Sequence, residues 1–104
     1  MLALATFPSP EKAAEIARVL VDEQLAACVN IIPGVRSIYR WEDKVCDDSE
    51  VLGIIKTTRE RFDELGGRYV ELHPYDVPEL IALPIVAGNA PYLDWLIATC
   101  SPDT

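Results

Sequence analysis

Histidine and paired cysteines are what this sequence most lacks. Its 104 residues include one histidine and three cysteines, which are Cys28, Cys46 and Cys100. The cysteines are widely spaced and form no C-x-x-C motif, so they indicate neither a disulfide framework nor a zinc module. Three thiols cannot all pair within one chain, and reduced thiols are typical of a reducing compartment. Because Pro8 interrupts the apolar segment that follows Met1, no signal peptide is predicted and we expect a cytoplasmic protein.

Positive charge is also scarce. The sequence has nine lysines and arginines but 17 aspartates and glutamates, which gives a formal net charge of −8. This balance argues against nucleic acid as a partner, because phosphate binding needs a basic face, and it disfavours anionic membrane surfaces. No apolar stretch approaches the ~20 residues that span a bilayer. Half of the residues are hydrophobic and a quarter are charged, which is typical of one soluble globular domain.

Recognisable catalytic motifs are missing as well. The sequence has no nucleophile–base pair at a known spacing, no glycine-rich phosphate loop and no G-x-S-x-G. We therefore predict no catalytic residues and expect that the protein is not an enzyme.

The apolar patterns that are present predict a single α+β domain over residues 1–104. Strands are expected at residues 2–7, in two arms of a hairpin within residues 28–58, and at residues 80–86, where Pro84 indicates an edge or a bulge. Helices are predicted to start at capping signals, namely Ser9 before Pro10, a capping box of Thr57 and Glu60, and Asn89 before Pro91. The order βαββαβ with an additional C-terminal helix implies a ferredoxin-like fold, with two helices on one face of the sheet.

The hairpin is long for so small a domain. Strict alternation predicts one apolar face along its first arm, made of Val29, Ile31, Val35, Tyr39 and Trp41. An arm of ~14 residues extends roughly 46 Å, whereas a compact domain of this length is roughly 33 Å across. Part of the hairpin should therefore project beyond the core, and such ribbons are normally covered by another chain. We expect an oligomer with Tyr39 and Trp41 at the interface.

Two groups of side chains are candidate binding sites. His73 and Glu79 are candidate metal ligands or proton carriers, although a lone histidine before Pro74 is also typical of a residue that ends a helix. Lys56 follows residues that are apolar on both faces of a strand, so it needs a carboxylate or an anionic ligand. A pocket at a subunit interface is predicted to unite Lys56 with the remaining ligand-binding candidates, which are Arg36, Tyr75, Tyr92 and Trp95. Interface packing is the alternative role for these aromatic residues.

Several segments resemble the CutA family, in the same order and over nearly the whole chain. They are residues 25–34 (LAACVNIIPG), 37–42 (SIYRWE), 54–58 (IIKTT), 73–75 (HPY) with 78–79 (PE), and 92–95 (YLDW). The resemblance implies a homotrimer whose long hairpins pair between subunits, and a link to divalent-cation tolerance.

The sequence departs from this family at two places. Asp43 stands at the hairpin tip where the family usually has glycine. Ala5 and Leu72 stand where some relatives have copper ligands, which leaves only His73 of that set. Any bound divalent cation, Cu²⁺ or another, is therefore expected to bind weakly.

Our prediction is a cytoplasmic homotrimer, linked to divalent-ion tolerance or response, that binds a divalent cation or small ligand between subunits. Two alternatives remain. One is a PII-like trimer that senses a small molecule, which is a comparison of folds only. The other is a purely structural trimerisation module.

Overall fold

The computed structural model describes residues 1–101, in which four strands form one antiparallel sheet. The elements are β1 (Leu2–Phe7), α1 (Pro10–Asp22), β2 (Cys28–Trp41), β3 (Lys44–Lys56), α2 (Arg59–Leu72), β4 (Leu80–Leu83) and α3 (Ala90–Cys100). The strand order is β2-β3-β1-β4, and every neighbouring pair is antiparallel. This architecture confirms the predicted ferredoxin-like α+β fold with a long β2–β3 hairpin and an additional C-terminal helix.

One face of the sheet carries the hydrophobic core. Along β3, Val51, Gly53 and Ile55 are buried while the residues between them are half-buried. The buried set packs against β1 and the apolar stripes of α1 and α2, through residues that include Phe7, Ile16, Leu20, Leu65 and Tyr69. A Cβ atom at position 53 would lie 2.7 Å from the Phe7 ring, so only glycine fits there.

The helix starts agree only in part with the capping prediction. The Ser9 side chain accepts a hydrogen bond from the Lys12 amide at 3.1 Å, which confirms the cap of α1. The capping box at α2 is wrong, because Thr58 is the N-cap and makes no side-chain capping bond. Thr57 is instead fully buried and donates its hydroxyl to the Leu25 carbonyl at 2.7 Å.

A bulge in β2 overturns the predicted alternation. Ile32 pairs with Leu52 and Val35 pairs with Glu50, so β2 advances three residues while β3 advances two. The extra residue lies at Pro33–Gly34, where Gly34 has a φ of 81°, a backbone geometry that favours glycine. Val29 and Ile31 therefore face the helices. The side of the sheet away from the helices is called the open face, and beyond the bulge it carries Val35, Tyr39 and Trp41.

The last strand is shorter than predicted. It ends at Leu83, not at Val86, because Pro84 has no amide to donate to the sheet. The edge position predicted for this strand is confirmed, since β4 lies beside β1 alone. The helix that follows, α3, buries Leu96 and Cys100 against Ala27.

The hairpin gives the molecule its elongated shape, with principal extents of 47, 27 and 22 Å. At its tip, Trp41 pairs with Lys44 across a turn formed by Glu42 and Asp43. Both turn residues have positive φ, 49° and 62° respectively. This geometry matches the twist of the strands, but it normally favours asparagine or glycine.

Candidate functional site

The open face of the sheet carries a cavity of about 480 Å³ along the outer half of the hairpin. The hairpin, the end of β1 and the loop between α2 and β4 all contribute to it. Its lining residues are Thr6, Tyr39, Trp41, Asp48, Glu50, Tyr75, Asp76, Val77 and Glu79.

Strand register brings the hairpin residues together. Asp48 and Glu50 alternate with residues of the other face on β3, so both point to the open face. The bulge at Pro33–Gly34 turns Tyr39 and Trp41 to the same side. Without that extra residue, the two aromatic side chains would lie on the helix side of the sheet.

Two tyrosines fix the hairpin carboxylates. The Tyr39 hydroxyl donates to Asp48 Oδ2, and the Tyr75 hydroxyl donates to Glu50 Oε2 at 3.0 Å. The hydrogen bond to Asp48, with a smaller effect of burial, raises the pKa of Tyr39. Burial and the hydrogen bond to Glu50 raise the pKa of Tyr75 to about 12. Both phenols are therefore neutral donors at physiological pH.

The cavity is strongly acidic. Four of its lining residues are Asp48, Glu50, Asp76 and Glu79, and within residues 1–101 of one chain no lysine or arginine lines it. Residues 1–101 contain four ion pairs, and none of them involves a residue of this cavity. The cavity therefore attracts cations and repels anions.

His73 lies behind the cavity and holds the backbone of two of its lining residues, Thr6 and Tyr75. It is buried, its Nε2 donates to the Thr6 carbonyl at 2.8 Å, and its Nδ1 accepts the Tyr75 amide hydrogen at 3.1 Å. Its own amide donates to the Tyr69 carbonyl at the end of α2. A neutral imidazole satisfies this pattern, with its proton on Nε2. His73 thus ends the helix and positions Tyr75, and both of its ring nitrogens are occupied.

Glu79, the second predicted metal ligand, lies at the cavity itself. Its backbone carbonyl accepts the Tyr69 hydroxyl at 2.7 Å, which anchors the start of β4. Over residues 1–101, no group of three or more histidine, cysteine, aspartate or glutamate residues is arranged to hold a metal ion. The metal site predicted at His73 and Glu79 stays a prediction. Within residues 1–101 of one chain, these two residues are not joined by a third histidine, cysteine or carboxylate ligand.

Arg36 and Lys56 lie outside the cavity. Arg36 is on the opposite face of the hairpin, where its Nε and Nη2 bind Asp47 at 2.9 and 2.7 Å. That hydrogen bonding lowers the pKa of Asp47. Lys56 is at the far end of β3, where its Nζ donates to Asn30 and lies 4.0 Å from Cys28 Sγ.

Tyr92 and Trp95 form an exposed aromatic pair on α3, with ring centroids 5.4 Å apart. Neither residue lines the cavity. Of the five predicted ligand residues, only Tyr75 lines this cavity within one chain. Arg36 lies on the opposite face of the hairpin, Lys56 at the end of β3, and the remaining two on α3. Their meeting across a subunit interface stays a prediction, as does the interface role of Tyr39 and Trp41.

The sequence gives no signal for Asp76 as a site residue, and for Asp48 and Glu50, together with Asp47, it offers at most a weak site for a hard cation. Asp48 and Glu50 belong to an acidic run near the hairpin tip, which is typical of a solvated turn. Their i, i+2 spacing on a strand was the available signal, because it places two carboxylates on one face. The hydrogen bond between Glu50 and Tyr75 joins the hairpin to the loop after α2, so no local sequence pattern predicts it.

The chain matches the family described as CutA1 divalent ion tolerance protein over residues 1–99. The divalent-cation tolerance protein CutA of Thermus thermophilus is 57% identical over 93 residues, which are 89% of this chain and 90% of that protein. Protein CutA of Homo sapiens is 49% identical over 94 residues, which are 90% of this chain and 52% of that protein. The chain thus spans about half the length of its human relative.

Solved structures agree with the fold. The CutA1 crystal structure from Oryza sativa has a TM-score of 0.94 and 45% identity, covering 98% of this chain and 94% of that one. A structure from Nostoc, described as a PII-like protein CutA in apo form, has a TM-score of 0.88 and 38% identity, covering 95% of each chain.

The CutA structure from Archaeoglobus fulgidus is described as a periplasmic divalent cation tolerance protein. It has a TM-score of 0.93 and 38% identity, and the match covers 96% of this chain and 97% of that one. Over residues 1–101 no helix is long and apolar enough to cross a membrane. The cytoplasmic location of this chain stays a prediction. Sequence and fold together establish that the chain belongs to the CutA1 divalent ion tolerance protein family.

Proposed function

We propose that this chain is a homotrimer that acts in divalent-cation tolerance by holding cations in acidic clefts beside its subunit interfaces. The observation that carries the proposal is the apolar open face of the sheet. The family name supplies the link to divalent ions.

The open face has the composition of an interface. Register places Leu2, Leu4, Leu52 and Ile54 there, next to Ile81 of the edge strand. Ile81 is 53% exposed and its open-face neighbours on β1 and β3 are half-buried. An antiparallel sheet that faces water normally alternates apolar with polar residues. A contiguous apolar face of this kind marks a site of association.

The hairpin favours three subunits over two. Its tip presents Tyr39 and Trp41 on the open face, and Ile38 and Val45, exposed by 66% and 69%, on the other face. A single partner in a two-fold dimer covers one of these faces. In a closed ring each subunit has two different neighbours, so both faces of the hairpin can be covered.

The charge of the cavity supports the proposed binding of cations. One chain supplies carboxylates but no complete set of three metal donors over residues 1–101. A divalent ion in this cleft therefore needs an additional ligand from a neighbouring subunit, since carboxylate sites for such ions use several oxygen ligands. Glu79 is the predicted ligand that already lies at the cleft.

The experiment compares Ile81→Glu with Val70→Glu. The two side chains are equally exposed in one chain, at 53% and 54%, but Ile81 is on the open face and Val70 is on the outer side of α2. Native mass spectrometry should show three chains for wild type and Val70→Glu, and monomers for Ile81→Glu. Calorimetric titration with Mn²⁺ and Cu²⁺ should show weak binding that is lost only in Ile81→Glu, although that variant adds negative charge. A trimeric Ile81→Glu protein would contradict the assignment of the interface.

A ligand-sensing trimer is the second candidate, because the cavity has the volume of a small-molecule site. A protein of this kind should protect the amides of residues 36–50 from hydrogen exchange when its ligand binds. A trimer that binds neither metal ions nor small molecules would be a structural module.

A further inference from the structure

Lys56 carries a positive charge that no carboxylate balances within residues 1–101 of its own chain. It is half-buried at the end of β3, where its Nζ donates to the amide oxygen of Asn30 and lies 4.0 Å from the sulfur of Cys28. None of the four ion pairs in this part of the chain includes it. Register places it on the open face, opposite Leu2 and Cys28. An assembly that covers this face removes water from the ammonium group, so the charge then needs an anionic partner.

The acidic cleft has the opposite imbalance. Asp48 and Glu50 each accept a tyrosine hydrogen bond. The carboxylate of Glu79 also lines the cleft, but over residues 1–101 only the backbone carbonyl of this residue is bonded. Carboxylates that lie close together in a covered cleft repel one another, and a positive charge among them relieves that repulsion.

Lys56 does not reach the cleft of its own chain. It follows Glu50 by six positions on β3, which is a distance of roughly 20 Å along a strand. Within residues 1–101, the other basic residue on the open face of the sheet is Lys44, which lies at the hairpin tip.

A second subunit can bring the two charges together. In a closed ring, each contact joins two different surfaces of the same chain. The projecting hairpin places the acidic cleft at one end of the subunit, and Lys56 lies at the other end of the same sheet. The two ends are therefore complementary in charge.

We propose that Lys56 of each subunit extends into the acidic cleft of the next subunit and pairs there with Glu79. The ammonium group occupies the cleft when no divalent cation is bound, and a cation that binds Glu79 displaces it. This competition lowers the affinity of the cleft for cations, in keeping with the weak binding predicted from the sequence. The inference rests on the proposed function and deepens it, because it names a residue of the neighbouring subunit that regulates the cation site.

A double-mutant cycle tests the pair. Lys56→Met and Glu79→Gln each remove one charge, and sedimentation equilibrium in a series of urea concentrations measures dissociation of the trimer. Each variant alone should raise the dissociation constant at least roughly ten-fold, because it leaves the opposite charge without a partner in a covered interface. The second replacement should cause no further loss. Effects that multiply in the double variant would overturn the pair, because the two side chains would then act independently.

Calorimetric titration with Mn²⁺ tests the competition, at concentrations where native mass spectra show three chains for each protein. Lys56→Met should bind Mn²⁺ at least roughly five-fold more tightly than wild type, because its cleft holds no competing charge. Lys12→Met is the matched control, since it removes the same charge from α1, away from the open face. Equal affinities of wild type and Lys56→Met, or equal gains in the two variants, would contradict the inference.

The number of chains separates this inference from the proposed function. A wild-type protein that is monomeric in native mass spectra would refute the trimer, and with it any pair between subunits. A wild-type trimer in which the two replacements act independently would refute only the pair of Lys56 with Glu79.

Discussion

His73 illustrates why a residue type does not define its role. The sequence offered two interpretations of this lone histidine, a metal ligand or the end of a helix. In the structure both ring nitrogens hold backbone groups, one in β1 and one in the loop that carries Tyr75. A metal ion at either nitrogen must first displace one of these groups. Burial decides this point, because a buried polar atom must keep a partner.

Replacement of His73 should therefore destabilise the fold. His73→Ala leaves the Thr6 carbonyl and the Tyr75 amide without their partner and removes stacking on Phe7, whose ring centroid lies 5.6 Å away. We expect the free energy of unfolding to fall by about 2–4 kcal/mol, as for other buried hydrogen-bonding groups. Urea unfolding at fixed protein concentration measures this, and Glu71→Ala on the exposed part of the same helix is the control. A loss equal to that of the control would show that the bonds of His73 contribute nothing.

Tyr75 makes stability sensitive to alkaline pH. Its pKa is raised from 10.0 to about 12, first by burial and then by the hydrogen bond to Glu50. The unfolded chain loses this proton at lower pH than the folded one, so the contribution is complete below about pH 10 and disappears as pH rises towards 12. Tyr75→Phe should flatten the fall in stability over that window.

Denaturant unfolding at a series of pH values measures this slope. Tyr92→Phe is the matched control, because Tyr92 lies on α3 outside the cavity. Identical slopes for Tyr75→Phe and Tyr92→Phe would contradict the assigned role of the Tyr75–Glu50 bond.

At the scale of elements, most of the fold follows from the sequence. Periodicity located the strands and helices because each element buries one face, and burial leaves a regular pattern. The alternation failed at Pro33–Gly34, since counting with a period of two cannot detect one inserted residue. That single bulge moved Tyr39 and Trp41 to the cavity side. The bulge therefore hid the place of Tyr39 and Trp41 in the cavity, and the sequence distance between the hairpin and Tyr75 hid their contact.

The hairpin tip offers a direct test of backbone strain. Asp43 has a φ of 62°, which costs little for glycine and more for residues with a Cβ. We expect Asp43→Gly to raise the free energy of unfolding by about 0.5 kcal/mol and Asp43→Ala to lower it by about 1 kcal/mol. Urea unfolding at one protein concentration gives the order of the three proteins. An alanine variant more stable than the glycine variant would show that the turn is not strained.

At the scale of the whole molecule, the proposed association accounts for both the uncovered sheet face and the projecting hairpin. If unfolding is coupled to dissociation, the thermal midpoint should rise with protein concentration in a reversible scan. Differential scanning calorimetry over a hundred-fold concentration range measures this dependence. A midpoint that does not change would mean that the chain is fully folded alone.

Sedimentation equilibrium of the wild-type protein at micromolar concentration tests the central claim most directly. It gives the mass of the species in solution without a label or a variant. If the protein is a homotrimer, the measured mass should be that of a single species of three chains. We expect this result because the proposed assembly covers both faces of the hairpin and the open face of the sheet. A stable monomer at that concentration would contradict the proposed assembly, and with it the sharing of each cleft between subunits.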